Sequence, residues 1–223
     1  MITVDLETTS VRELNRGLHT AANGTWRVLH PRGAHALAVG LNAPLHIEIA
    51  GHAGYYCAGM NQEATVIVEG NVATGVAENM MSGLVHVRGH ASQSAGATAH
   101  GGLLIIDGDA SARCGISMKG VDIVVKGSVG HMSAFMGQAG NLVVLGDAGD
   151  ALGDSIYEAR LFVRGKVASL GTDCVEKEMR AEHLAALNEL LVKSGAAADA
   201  SEFRRYGSSR KLYNFQRDNV SQY

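Results

Sequence analysis

Apolar positions recur along this chain on two scales. On the short scale, Val66/Val68, Val85/Val87, Leu104/Ile106, Ile123/Val125, Leu142/Val144 and Leu161/Val163 are alternate residues of six successive segments, and every one is aliphatic. A period of two with one face always apolar predicts β-strands that bury a single face. On the long scale, each pair stands 19 residues after the one before it. Glycine keeps the same count at Gly51, Gly70, Gly89, Gly108, Gly127, Gly146 and Gly165. Two residues after each glycine stands alanine or valine, and three after it glycine, alanine or serine. Seven after it stand Ala58, Ala77, Gly96, Gly115, Ala134, Gly153 and then Thr172. A fixed period near 20 residues is the mark of a solenoid.

The predicted fold is therefore all-β: a right-handed parallel β-helix of about seven 19-residue coils. Equivalent positions would stack about 4.8 Å apart, the spacing of hydrogen-bonded strands. At the glycine column each rung is expected to bend with φ > 0, and a Cβ there would press on the neighbouring rung. The residues just before the glycines, Glu69, Arg88, Asp107 and Lys126, alternate in sign, so that each charge would stack on its opposite. Leu145 interrupts this ladder and Arg164 follows. Exposed pairs of this kind contribute about 0–1 kcal/mol each, so the ladder supports registry more than stability.

The flanks read differently and divide the chain into 1–31, 32–174 and 175–223. Ile2 to Leu6 alternates as a short strand. Ser10-x-x-Glu13 forms a capping box that predicts a helix to about His19. Asn23-Gly24 is a turn signal before a strand over Thr25 to Leu29. Arg32 stands where the first coil should have its glycine, as suits an atypical terminal repeat. Beyond Gly171, Val175 to Lys193 is helical in propensity, with Leu184, Leu187 and Leu191 on one stripe and Gly195 as the stop. This helix is expected to cover the open end of the coil. The last 21 residues hold Phe203, Tyr206, Tyr213, Phe215 and Tyr223, interleaved with Arg204, Arg205, Arg210 and Lys211. Aromatic and arginine side chains are enriched at interface hot spots. Residues 196–223 are accordingly expected to be a docking arm, with Phe203, Arg204, Arg205, Tyr206, Arg210, Lys211, Tyr213 and Phe215 as its candidate contacts.

Composition narrows the function. A net charge of -3 argues against nucleic acid recruited by bulk charge. No apolar run reaches the 18 or so residues of a membrane span. Cys57 and Cys114 share a column three coils apart, about 14 Å by the strand spacing and too far for a disulfide. Reduced thiols and the lack of a leader segment place the expected location in the cytoplasm. His52 and His90 also share a column, but two coils apart they cannot ligate one ion. Asp147, Asp150 and Asp154 read as turn formers, and Met80 and Met118 as fillers of a narrow core. No nucleophile elbow or phosphate loop is present. The residues thus predict no catalytic group, no cofactor site and no metal site. Hexapeptide acyltransferase helices differ in having 18 residues per coil, and calcium rolls need an aspartate in every half-coil.

The spacing Gly146-x-x-Gly149-x-x-x-Gly153 resembles the namesake pattern of the GXGXG β-helix family. That family includes the C-terminal domain of the glutamate synthase large subunit and a formylmethanofuran dehydrogenase subunit. The stretches Gly75–Gly83, Asp109–Gly120, Gly130–Gly140 and Gly149–Ala159 are more closely similar to the stand-alone small subunits of methylamine–glutamate N-methyltransferases. The tail from Phe203 to Phe215 adds to the likeness, which spans nearly all of residues 33–223. The resemblance implies a non-catalytic structural subunit in a complex that converts methylamine and glutamate to N-methylglutamate and ammonia. It also implies a hetero-oligomer. FMN and an iron–sulfur cluster would sit in a glutamate-synthase-like partner, beside a class II amidotransferase-like partner. A formylmethanofuran dehydrogenase-like complex or a free-standing β-helix enzyme are the alternatives.

Overall fold

The computed structural model describes residues 1–210. A strand β1 (Ile2–Asp5), a helix α1 (Val11–Thr20) and a strand β2 (Gly24–Leu29) open the chain. The rungs follow as β3 (Leu45–Ile49), β4 (Thr65–Val68), β5 (Leu84–Val87), β6 (Leu103–Ile106), β7 (Lys119–Val125), β8 (Ala139–Val144) and β9 (Arg160–Val163). All nine strands are parallel neighbours in one sheet. From β4 to β9 the register is the 19-residue count: Val66 lies beside Val85, then Leu104, Ile123, Leu142 and Leu161. A second column, Ala53 to Val167, joins rung to rung through single parallel bridges. Both columns bury their side chains in one core. The solenoid is as the periodicity predicts.

The bend is not where the sequence placed it. Of the seven register glycines only Gly51 has a positive φ. The left-handed residues are instead Ala58, Ala77, Gly96, Gly115, Ala134 and Gly153, with φ from 54° to 69°. The residues two places before and after each of these are left-handed as well. The other six register glycines answer to close approach alone. A Cβ on Gly108 would lie 2.6 Å from His90 Nδ1 and 2.9 Å from the Gly89 carbonyl oxygen.

Both ends are closed by their own flanks. The sheet runs unbroken through the boundaries drawn at 31/32 and 174/175. At the N-terminal end the capping box forms: Ser10 N donates to Glu13 Oε2 (2.9 Å) and Glu13 N to Ser10 Oγ (3.2 Å). The helix α1 that follows buries Leu14 and Leu18 in the core. Its Asn15 side chain bonds Ala36 O and Ala38 N (2.7 and 3.0 Å), clamping two left-handed residues of the atypical first coil. Arg32, also left-handed, pairs with Glu7.

The C-terminal flank corrects two expectations. The chain continues through β10 (Cys174–Lys177), α2 (Ala181–Ser194), a short 3-10 helix (Ala200–Glu202) and β11 (Arg204–Ser208). First, the coil's open end is covered by strands: β11 pairs antiparallel with β9, and β10 with β11. Second, α2 lies on the outer face of the sheet. Leu187, Leu190 and Leu191 form a second core with Val124, Val143 and Phe162. The outward strand position is polar or half-exposed early on, at Glu48, Ile67 and His86, and becomes Ile105, Val124, Val143 and Phe162, all buried. The helix covers the stretch of sheet that is apolar on both faces.

Gly108→Val is expected to lower the thermal midpoint more than Asp109→Ala. Forced overpacking costs about 1–3 kcal/mol. Asp109→Ala removes one exposed acceptor, the Asp109 Oδ1 that Ser128 N bonds at 2.8 Å, worth about 1 kcal/mol. Thermal unfolding of the two variants checks this, and equal midpoints would overturn the close-approach account.

Candidate functional site

The polar side chains of the coil are ordered in columns, and the first of these takes up both histidines of interest. Asn71 N donates to His52 Nδ1, His90 N to Asn71 Oδ1, and Asp109 N to His90 Nδ1, each at 2.9 Å. Ser128 N, Asp147 N and Lys166 N extend the column to Asp109, Ser128 and Asp147 at 2.7–3.0 Å. Each side chain satisfies the backbone N–H one rung further on. Both imidazoles accept through Nδ1, so their proton sits on Nε2. Asp154 accepts from Thr172 N in the same manner, and Asp150 accepts from the Ser169 hydroxyl. These residues serve the stack.

The charge column converges on one acid. Asp107 receives Lys126 Nζ at 2.8 Å, His86 Nε2 at 3.0 Å and Arg88 Nη1 at 3.6 Å. Burial alone would raise its carboxyl, but the bonds from Lys126 and His86 outweigh this and hold it below the ordinary carboxylate value. Glu69 makes no ion pair among the described residues, so the alternating charges pair only from Arg88 to Lys126. Leu145 breaks the ladder because it belongs to the second core under α2.

Nucleophiles are shut away. Cys57 and Cys114 are fully buried, and burial pushes both thiols up to about 12. Cys174 is also buried and is raised to about 11. Met80 and Met118 fill the core, while Met60 and Met136 in the preceding column are exposed.

Two polar groupings lie outside the columns. Asp5, Glu7 and His30 place one ligand atom each within 4.8 Å of one another. Arg32 beside Glu7 and the His30–Asp5 bond of 2.8 Å make this an exposed ion-pair knot. The other is a cleft of about 440 Å³ between the C-terminal half of α2 and the sheet, walled by Leu84, Leu103, Leu190, Asp122 and Lys193. Burial raises the Asp122 carboxyl, against the lowering effect of an Asn141 Nδ2 bond at 2.6 Å.

The candidate docking residues fall into three groups. Phe203 and Tyr206 are buried, Phe203 in the core under α2 and Tyr206 in the coil's own core. Phe203 caps the short 3-10 helix and Tyr206 lies within β11, so both rings are already packed in the chain's own cores. Arg204, Arg205 and Arg210 reach the surface; Arg205 Nε donates to Glu178 O at 2.9 Å and Arg210 pairs with Asp173. Lys211, Tyr213 and Phe215 lie outside the described residues.

Among the described residues, no helix is long and apolar enough to cross a membrane. No family model matches the chain. No solved structure matches it. Among curated proteins it is similar to Protein GlxC of Rhizobium meliloti (strain 1021), at 67% identity over 228 residues that cover 100% of each chain.

Asp107→Asn is expected to cost about 1 kcal/mol at pH 7, as for a partly exposed ion-pair hub. The folded carboxyl is depressed, so its contribution is present above the ordinary value of 3.8 and is lost as pH falls through the folded value. Urea unfolding of wild type and variant from pH 7 to pH 3 should show the difference shrinking in acid. A difference independent of pH would assign it to packing.

Proposed function

The chain belongs to the GlxC family, and from that premise we propose that it is a non-catalytic structural subunit of a glutamate-synthase-like complex. The reaction proposed for the whole is methylamine plus L-glutamate giving N-methyl-L-glutamate plus ammonia. The reading is supported first by the interior of the coil. Its two facing columns are filled from end to end by small and aliphatic side chains, which leaves no room inside for a flavin or a substrate. The spacing of Gly146, Gly149 and Gly153, and the likeness of the coil stretches to N-methyltransferase small subunits, supply the class of complex.

The redox groups of such a complex belong, in this proposal, to a partner. The donor set here does not suit an iron–sulfur cluster. Cys57 and Cys114 stand three rungs apart, Cys174 lies beyond the last rung, and all three are held protonated by burial. Clusters need several thiolates around one site. The partners proposed are a flavin and iron–sulfur subunit and a class II amidotransferase-like subunit. The chain would contribute a rigid surface that holds them in register, in the cytoplasm.

Co-expression of the tagged chain with a flavin and iron–sulfur glutamate-synthase-like subunit and a class II amidotransferase-like subunit tests the proposal. The expected result is a stable complex with flavin absorbance that forms N-methylglutamate, while the isolated chain is colourless and inactive. Turnover or stoichiometric flavin in the isolated chain would overturn the scaffold reading. A complex that assembles but acts on a formyl group would replace its reaction.

A further inference from the structure

The last three strands carry a concentration of positive charge on their outer face. Arg205 lies beside Phe162 on one side and Lys177 on the other. Phe162 points outward under α2, so Arg205 and Lys177 share that outer face. Arg160, two residues before Phe162 on β9, shares it too. Gly207 offers no side chain between them, and Arg205 Nη1 reaches to 4.0 Å of the position its Cβ would take. Arg180, immediately before α2, adds a third guanidinium at the rim.

These cations are under-compensated. Glu178 and Glu182 both pair with Arg180, at 3.5 and 3.4 Å. Arg160 and Arg205 have no carboxylate within salt-bridge distance among the described residues. Asp122, further along the sheet, is bonded by Asn141. Four cations therefore face Glu178 and Glu182, with Asp122 as a third acid that acts on Arg160 from across Asn141. Like charges held together weaken the fold unless a ligand balances them. Burial and the charges of Arg180 and Arg160 push the Arg205 guanidinium down, and burial and Arg205 do the same to His183.

Width decides what fits. From β9 to β10 is two strand spacings, about 10 Å. That exceeds the reach of one phosphate and suits carboxylates on one face of an extended peptide, which repeat about every 7 Å. Arg160, Arg180 and Arg205 come from three separate elements, Arg180 exposed and the other two half-exposed at the edge of the face that α2 covers, and planar guanidinium groups bind carboxylates in paired hydrogen bonds.

We propose that Arg160, Arg205, Lys177 and Arg180 form a docking surface for an acidic segment of a partner polypeptide. The surface stands on this chain's own geometry; only the partner's identity rests on the scaffold reading.

The probe is a fluorescent Glu-Ala repeat peptide, with its Lys-Ala counterpart as control, titrated into the full chain by anisotropy. The Glu-Ala peptide should bind, more weakly as salt rises. Arg160→Gln with Arg205→Gln should weaken it by at least about tenfold, while Arg27→Gln on distant β2 should leave it unchanged. Because Arg205 Nε holds the Glu178 carbonyl, Arg160→Gln alone, which leaves that bond in place, serves as the fold control and should by itself weaken binding. Unchanged affinity in the double variant, no binding at all, or displacement by inorganic phosphate at equal concentration would overturn the proposal, the last by marking a small-anion site. The assay needs no other subunit, so failure of the complex to assemble and failure of this surface are separate results.

Discussion

Hydrogen bonding from one rung to the next is the constraint on which everything else rests. Within the wide turn of each coil, donors point alternately to the two neighbours. In the first regular coil Tyr56 N bonds Thr74 O ahead, Ala58 N bonds Leu37 O behind, and Met60 N bonds Glu78 O ahead, at 2.8–2.9 Å. All three residues are left-handed. Outside glycine that conformation costs about 1–2 kcal/mol per residue. It persists because a polar backbone in this narrow wall has no partner other than the adjoining rungs. One coil alone could not hold the shape; the stack imposes it on every member.

The same constraint explains which parts of the fold are legible in the sequence. Stacking forces equivalent residues into equivalent space, so the period, both wall columns and the capping box at Ser10 can be read directly. The reason for the register glycines cannot. A residue that must be small looks the same in sequence whether it bends or is crowded, and Gly108 is crowded by His90 and Gly89. The true bend falls on Ala58 and Ala77 as readily as on Gly96, and alanine does not advertise a positive φ. The position of α2 was legible in principle. The change from His86 to Ile105, Val124, Val143 and Phe162 announces a covered outer face, but only when the second strand position is followed as closely as the first.

The candidate surface was harder to read. Alternation of aromatic and basic residues near the C-terminus looks like an exposed arm, yet strand pairing sorts Phe203 to Tyr206 by face. Tyr206 turns into the core and Arg205 turns outward. The remaining members of the charged patch, Arg160, Lys177 and Arg180, are scattered over 21 positions of sequence and are gathered only because β11 returns to lie between β9 and β10. No local pattern foretells that return.

Closure of both ends by added strands also makes the molecule a ruler. The strands that close the two ends, β1 and β2 at one and β10 and β11 at the other, pair only with terminal rungs, and each coil adds one strand spacing, so overall length comes in steps. An insertion or deletion of 19 residues between β3 and β5 would change the distance between the ends by one step and leave both caps intact. The same change between β6 and β9 would pull the sheet from beneath α2, whose leucines are matched to particular rungs. Any other number of residues would have to be absorbed in a loop outside the wall columns, as in the 21-residue step from Trp26 to Ile47. Lineages of such a chain can therefore vary in reach only at the early coils and only in whole units.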